Sequence, residues 1–293
     1  MFILKNVFLR LVEALGVVLS VKELWDIIFD DVKWANWVKI DILLLLPLFF
    51  ALAHTCYKLY FSVYSIENTD SKISLSFGDI LNQKGIVIVH VNREFDTIVG
   101  NGVVDPESLH GRFINKYYKN DLSSLDSIID AELQRQKISY DTRSDKEKGK
   151  RKTYPLGTCV KVEKDGKKFI LAALTKFDDQ CHAEPINKYT RNEFLSKVWE
   201  WIRKNIEPNA IHFSVIGTGC SRMVGTTLEK YRAIVDSGLA AISESKLYQT
   251  FDITLPMTRD AFSNYKDFNE YIRFRAVYKE MSNPELEDIG TGV

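Results

Sequence analysis

The run Ile86-Val87-Ile88-Val89-His90-Val91 constrains the fold more than any other stretch of the chain. It does not alternate, so it offers no face to water. A nearly continuous β-branched run of this kind marks a strand buried on both sides. Such a strand needs a layer above it and a layer below it, and the flanking sequence supplies both. Ile73 to Phe77 alternates like a strand, and Ser108 to Tyr118 and Ser124 to Gln136 read as helices. Val160 to Val162 and Phe169 to Thr175 flank Lys164-Asp165-Gly166-Lys167, where Asp-Gly predicts a hairpin. From Asn192 to Ile206, Phe194, Val198, Ile202 and Ile206 recur every fourth residue as a core-facing stripe, and Pro208 ends it. Ile211 to Ile216 predicts a strand, Thr227 to Ser237 a helix, Phe251 to Leu255 a strand and Phe262 to Tyr278 a last helix. Strands alternating with helices imply a mixed or parallel sheet between helical layers. Arg143 to Lys152 (RSDKEKGKRK) has no apolar period and reads as a solvated loop.

The apolar excess lies at the front. Ile42 to Tyr57 carries no formal charge, and with its extension to Val63 it is long enough to span a membrane. Val7 to Phe29 is poorer, interrupted by Arg10, Glu13, Lys22, Glu23 and Asp26. It is either an interfacial amphipathic helix or the first arm of a hairpin. Asp30 to Trp37, with two tryptophans, suits an interfacial turn. Residues 1–66 are thus expected to form a transmembrane hairpin of helices about 7–29 and 40–63. Lys5, Arg10, Lys58 and Lys72 place both ends in the cytoplasm of an inner membrane. No cleavage site for a signal peptide follows the first apolar run. A polar linker at 67–72 leads to an α/β domain over 73–281, and 282–293 reads as a flexible tail.

Composition narrows the function. Among 293 residues, 39 Lys+Arg balance 39 Asp+Glu, which argues against a bulk nucleic-acid binder. The four cysteines (Cys56, Cys159, Cys181, Cys220) are scattered without a CxxC pair, so neither a disulfide scaffold nor a cysteine zinc module is expected. The histidines show no metal-ligand spacing, and no metal or cofactor is expected.

Candidate chemistry sits at strand ends. Gly217-Thr218-Gly219-Cys220-Ser221-Arg222 joins a buried strand to a helix. Its glycines allow close backbone approach to an anion, while Thr218, Ser221 and Arg222 suit phosphate. A tight strand-to-helix turn is the plainer alternative. Gly78-Asp79-Ile80 follows one strand; Asp79 is either a turn residue or an acceptor for an adenine amino group. Asn92 follows the next strand, ahead of Gly100-Asn101-Gly102 and a helix opened by Ser108. All of these are C-terminal strand ends and could converge on one cleft.

These pieces, in this order, resemble the macro domain, an ADP-ribose-binding fold: Phe77-Gly78-Asp79-Ile80, Val91-Asn92-Arg93 with Gly100-Asn101-Gly102, and Val215-Ile216-Gly217-Thr218-Gly219. The resemblance spans roughly 73 to 280 and implies a three-layer α/β/α sandwich with a mixed sheet. It implies Asp79 at the adenine, Gly217, Thr218, Gly219, Cys220, Ser221 and Arg222 at the diphosphate, and the region Asn92 to Gly102 at the distal ribose, with Ile80 and Ser108 also in the ligand-binding set. Hydrolytic macro domains carry Val-Asn-Ala-Ala-Asn, whereas Val91-Asn92-Arg93-Glu94-Phe95-Asp96 stands here, which favours binding over hydrolysis. With the apolar front, the layout resembles the membrane-anchored effectors of type II Thoeris antiphage systems. That family implies a partner TIR-domain protein that makes a signal from NAD, histidine-ADP-ribose, and no catalytic residues. It also implies oligomerisation and membrane disruption on binding, leading to abortive infection. A membrane-tethered ADP-ribosyl hydrolase or reader is the competing class.

Overall fold

The computed structural model describes residues 61–66, 69–178, 180, 182–207, 210–216, 225–245, 250–255 and 259–277, with Phe49 and Ala53. Met1–Ser62 and Val63–Val293 form two compact units. The expected hairpin, helices 7–29 and 40–63, lies outside the described residues apart from Phe49, Ala53 and the stretch from Phe61. Among the described residues no helix is long and apolar enough to cross a membrane.

Nine strands are described: β1 (Phe61–Ser65), β2 (Lys72–Phe77), β3 (Ile86–Asn92), β4 (Asp141–Thr142), β5 (Lys152–Thr153), β6 (Cys159–Lys164), β7 (Lys167–Thr175), β8 (Ala210–Ser214) and β9 (Thr250–Leu255). The helices are α1 (Leu109–Tyr117), α2 (Leu122–Arg135), α3 (Lys188–Asn205), α4 (Thr227–Ser245) and α5 (Arg259–Val277). The main sheet runs β1-β2-β9-β8-β3-β7-β6, and β4 pairs with β5 apart from it. Neighbours from β2 through β7 are parallel, and β6 returns antiparallel to β7. The sheet is therefore mixed. In the β6–β7 turn Asp165 (φ 52°) and Gly166 (φ 70°) both take positive φ, the type I′ geometry that Asp-Gly favours.

Register explains the two-sided burial of β3. Val87, Val89 and Val91 stand beside Phe169, Leu171 and Ala173 and face Phe113, Ile114, Leu125 and Ile129 of α1 and α2. On the opposite face α3 buries Phe194, Val198 and Ile202, and its Trp199 ring lies 5.1 Å from both Phe213 and Phe251. The four-residue stripe foreseen in the sequence thus faces the core, with Ile206 as C-cap.

Three local differences have physical causes. Phe61–Ser65, expected within the transmembrane hairpin of residues 1–66, forms the edge strand β1, and Tyr64 Oη donates to Asn269 Oδ1 at 2.9 Å. Helix α4 runs eight residues beyond Ser237, to Ser245. Gly238 lies inside it, where a Cβ would stand 2.4 Å from Cε1 of Phe251, so glycine there serves packing against β9. The charge run 143–152 is not a simple solvated loop, since Lys146 is only 1% exposed.

The C-terminal half of the sheet also carries a buried polar ladder. Asp252 accepts from Ser74 Oγ (2.5 Å), Ser76 Oγ (2.9 Å), Thr254 Oγ1 (2.9 Å) and His212 Nδ1 (3.1 Å). Burial alone would raise the Asp252 carboxyl, but bonds from His212, Ser74 and Thr254 and the His212 charge outweigh it and hold it below the ordinary carboxylate value.

Gly111 gives a first prediction. Glycine to alanine inside a helix ordinarily stabilises by about 0.5–1 kcal/mol. At Gly111, however, a Cβ would meet the Asp105 carbonyl oxygen at 2.2 Å and Pro106 Cα at 2.8 Å. Both are backbone atoms that cannot swing aside. Gly111→Ala should therefore lower stability by about 1–3 kcal/mol, as overpacking does. A higher thermal midpoint in the variant would refute the close approach.

Candidate functional site

Strands β2, β9, β8, β3 and β7 are parallel, so their carboxyl ends share one rim, where open α/β sheets bind ligands. Gly78-Asp79-Ile80 leaves β2 at this rim. Asp79 caps a short 3-10 turn, Ile80–Asn82, by accepting from Leu81 N–H at 3.2 Å. The same Oδ1 accepts from Arg112 Nη2 at 2.7 Å, and Oδ2 lies 3.4 Å from Lys116 Nζ. The Asp79 side chain keeps 28% of its exposure, so Oδ2 has room for a further donor. Ile80 is 5% exposed and belongs to the core under α1 and α2.

Asn92 ends β3 and is 2% exposed. Its Nδ2 donates to Glu94 Oε2 (3.1 Å) and Asp96 Oδ2 (2.6 Å), and its Oδ1 accepts from Asp96 N–H (3.1 Å). Both amide hydrogens and the carbonyl are therefore committed inside the protein. Glu94 and Asp96 are fully buried carboxylates. Lys146 Nζ reaches Asp96 Oδ2 at 2.6 Å, and Lys150 N–H donates to Asp96 Oδ1. Glu94 Oε1 takes Thr153 Oγ1 at 2.8 Å and lies 3.8 Å from Arg143 Nη1. The charge run is thus a strap whose cations neutralise the two acids that follow β3. Gly149 at φ +78° lets it close, as a Cβ there would fall 2.3 Å from Asp96 Oδ1.

The glycine turn lies beyond. Gly100 is half-buried, while Asn101 and Gly102 are exposed. Gly100 N–H donates to Val104 O at 2.8 Å, and Lys148 Nζ of the strap donates to Asn101 O at 3.3 Å. Ser108 is the N-cap of α1: its Oγ accepts from Gly111 N–H at 3.0 Å and donates to Asp105 O at 2.6 Å. It is spent on the backbone. Gly217, Thr218, Gly219, Cys220, Ser221 and Arg222 lie outside the described residues; β8 leads toward them through Val215 and Ile216. Among the described residues no group of His, Cys, Asp or Glu could hold a metal ion.

Sequence reasoning missed Arg112, Lys116, Glu94, Asp96, Lys146 and Lys148. The available signal was charge balance. Two carboxylates directly after a strand buried on both faces need counter-ions, and a cation-rich run stands some fifty residues later.

A mixed α/β sandwich with this strand order and a glycine-bearing rim defines a macro-like nucleotide-binding fold. The profile of the family described as Thoeris protein ThsA, Macro domain, matches residues 73–255, and the chain belongs to that family. It is 26% identical over 170 residues to the Thoeris protein ThsA of Bacillus amyloliquefaciens (strain Y2), a match that takes in 57% of this chain and 55% of that one. The chain therefore spans about half the length of that curated relative. Among solved structures, a mutant of the Oceanobacillus iheyensis macrodomain with ADPR is similar at TM-score 0.49 and 14% identity, covering 72% of this chain and 98% of that one. The Trypanosoma brucei macrodomain in complex with ADP-ribose is similar at TM-score 0.43 and 12% identity, covering 67% and 68%.

Proposed function

We propose that the chain is an antiphage effector whose macro domain binds an NAD-derived signal of the ADP-ribose type. The signal is histidine-ADP-ribose, made by a partner TIR-domain protein. Binding drives oligomerisation, and the apolar front, residues 1–66, carries the response to the inner membrane. The observation that bears most weight is the family match over 73–255, laid over a rim where Asp79 and Gly100-Asn101-Gly102 remain accessible. The domain binds rather than hydrolyses. Asn92, the residue that resemblance places at the distal ribose, has every polar atom engaged with Glu94 and Asp96.

Calorimetric titration of the full chain in detergent with ADP-ribose and with its histidine conjugate tests this reading, alongside a turnover assay. Binding without turnover, tighter for the conjugate, is expected. Steady release of ADP-ribose from modified protein would instead make the chain a hydrolase. Asp79→Ala removes one acceptor worth about 0.5–1.5 kcal/mol, so affinity should drop several-fold. The thermal midpoint should fall only modestly, because the half-exposed Asp79–Arg112 pair contributes about 0–1 kcal/mol and the cap on Leu81 N–H about 0.5–2 kcal/mol. Equal affinity in variant and wild type would return Asp79 to a purely structural role.

A further inference from the structure

A groove of about 1140 Å³ runs between α3 and α4, from Arg191 and Gly225 near their first turns down to Arg203 and Ala241. Ala233, Ser237 and Ala241 of α4 line it beside Trp199, whose Nε1 donates to Ser237 Oγ at 3.2 Å. Four cations also line it, Lys188, Arg191, Arg203 and Arg232, against three acids, Glu200, Glu229 and Asp236. Two of those acids already have cationic partners that do not line the groove: Glu200 pairs with Lys204 at 2.6 Å and Asp236 with Arg275 at 2.8 Å. Glu229 accepts from Thr226 N–H at 2.8 Å as part of the α4 cap. The groove is thus left with more cation than its acids neutralise.

Arg191 is the decisive residue. It sits in the first turn of α3 and is 9% exposed. Its Nε donates to Asn192 Oδ1 at 3.1 Å, but its two Nη groups have no acceptor among the described residues. No described carboxylate lies within ion-pair distance of it, and burial pushes its guanidinium below the ordinary value, with Glu229 opposing. A largely buried arginine whose Nη groups open onto a groove without a counter-ion is placed to take an oxyanion in its planar fork. We propose that this groove is a second ligand site, one that Asp79 and Gly100-Asn101-Gly102 do not line, and that it takes a small organic molecule by a phosphate or carboxylate group held at Arg191. Arg232 and Arg203 supply further positive charge along the groove. Its volume lies just above the usual range of small-molecule pockets, about 300–1,000 Å³, which suits a molecule larger than an inorganic ion.

The test titrates the full chain in detergent, at fixed ionic strength, with pyrophosphate in one arm and citrate in the other. Each arm is repeated on Arg191→Gln and on Gly219→Glu, the latter obstructing the glycine loop of the rim. At least one anion should bind the wild type and Gly219→Glu alike, and bind Arg191→Gln at least tenfold more weakly. The arm that responds names the group. ADP-ribose affinity should be unchanged in Arg191→Gln, which separates failure of this site from failure of the nucleotide reading. If Arg191→Gln does not fold, Arg232→Gln and Arg203→Gln, both at exposed positions, should each weaken the same anion several-fold. The proposal is overturned if neither anion binds, if the arginine variants bind it unchanged, or if Gly219→Glu alone abolishes binding.

Discussion

Lys146→Met should destabilise the macro domain by about 3–5 kcal/mol, the usual cost of removing one partner from a buried ion pair. The side chains of Lys146 and Asp96 are 0% and 1% exposed, with Nζ and Oδ2 2.6 Å apart. Methionine keeps most of the volume, so the loss is chiefly electrostatic: a carboxylate with no water to turn to and its main cation gone. Asn92 and the Lys150 N–H still donate to Asp96, but neither carries the missing charge at that contact. Adding Asp96→Asn to Lys146→Met should recover part of the loss, because it removes the stranded charge. The two substitutions should then couple by about 0.5–3 kcal/mol in a double-mutant cycle. Urea unfolding of the four proteins reads this directly, and additive losses, or a Lys146→Met loss below about 1 kcal/mol, would show that the strap does not hold Asp96. Ligand affinity should fall with stability, since the strap also bonds the glycine turn through Lys148 and Asn101.

That strap marks where the sequence stops being readable. Periodicity exposes elements whose partners are water and a generic core. It therefore located β3, the α3 stripe and the Asp165-Gly166 hairpin. It cannot expose a lysine whose burial depends on an aspartate fifty residues away, because Lys146 alone looks like any residue of a solvated charge run. The extent of α4 beyond Ser237 was hidden for a related reason: Gly238 lies inside the helix and makes space for the Phe251 ring of β9, a contact the local sequence does not display. The rim was legible as motif but not as chemistry. Asp79, Asn92, Gly100-Asn101-Gly102 and Ser108 all come at the ends foreseen for them, yet Asn92 and Ser108 are spent on the protein itself. What distinguishes a ligand-facing group from a satisfied one is its partner set, and partner sets are tertiary.

Acid should unfold this domain from an unusually high pH, beginning near pH 6.5. Burial holds the His90 imidazole down at about 4 from its ordinary 6.5. Burial, with the neighbouring His90 and Lys150 charges, holds His110 at about 3, a backbone hydrogen bond with Asp96 opposing. Both are neutral in the folded protein throughout the window from pH 6.5 to about 4, whereas in the unfolded chain both protonate as pH falls below 6.5. The unfolded state then binds up to two more protons than the folded one, and stability rises with pH in that window by about 1.4 kcal/mol per unit for each histidine. Falling from pH 6.5 to 4 should therefore cost about 5 kcal/mol in all, a figure that allows His90, the more exposed of the two, a smaller share. Asp252 does not confuse the window. Its carboxyl is held below the ordinary 3.8, so its stabilisation persists above that pH and is lost only as pH falls further, through its folded value. Urea midpoints at half-unit steps from pH 7 to 4 measure the slope, and His110→Asn should roughly halve it while leaving the pH 7 stability lower by the cost of a smaller, still polar side chain. A stability flat between pH 7 and 5, or a slope unchanged in His110→Asn, would mean that these histidines take up their protons in the folded protein and are not the acid-labile groups.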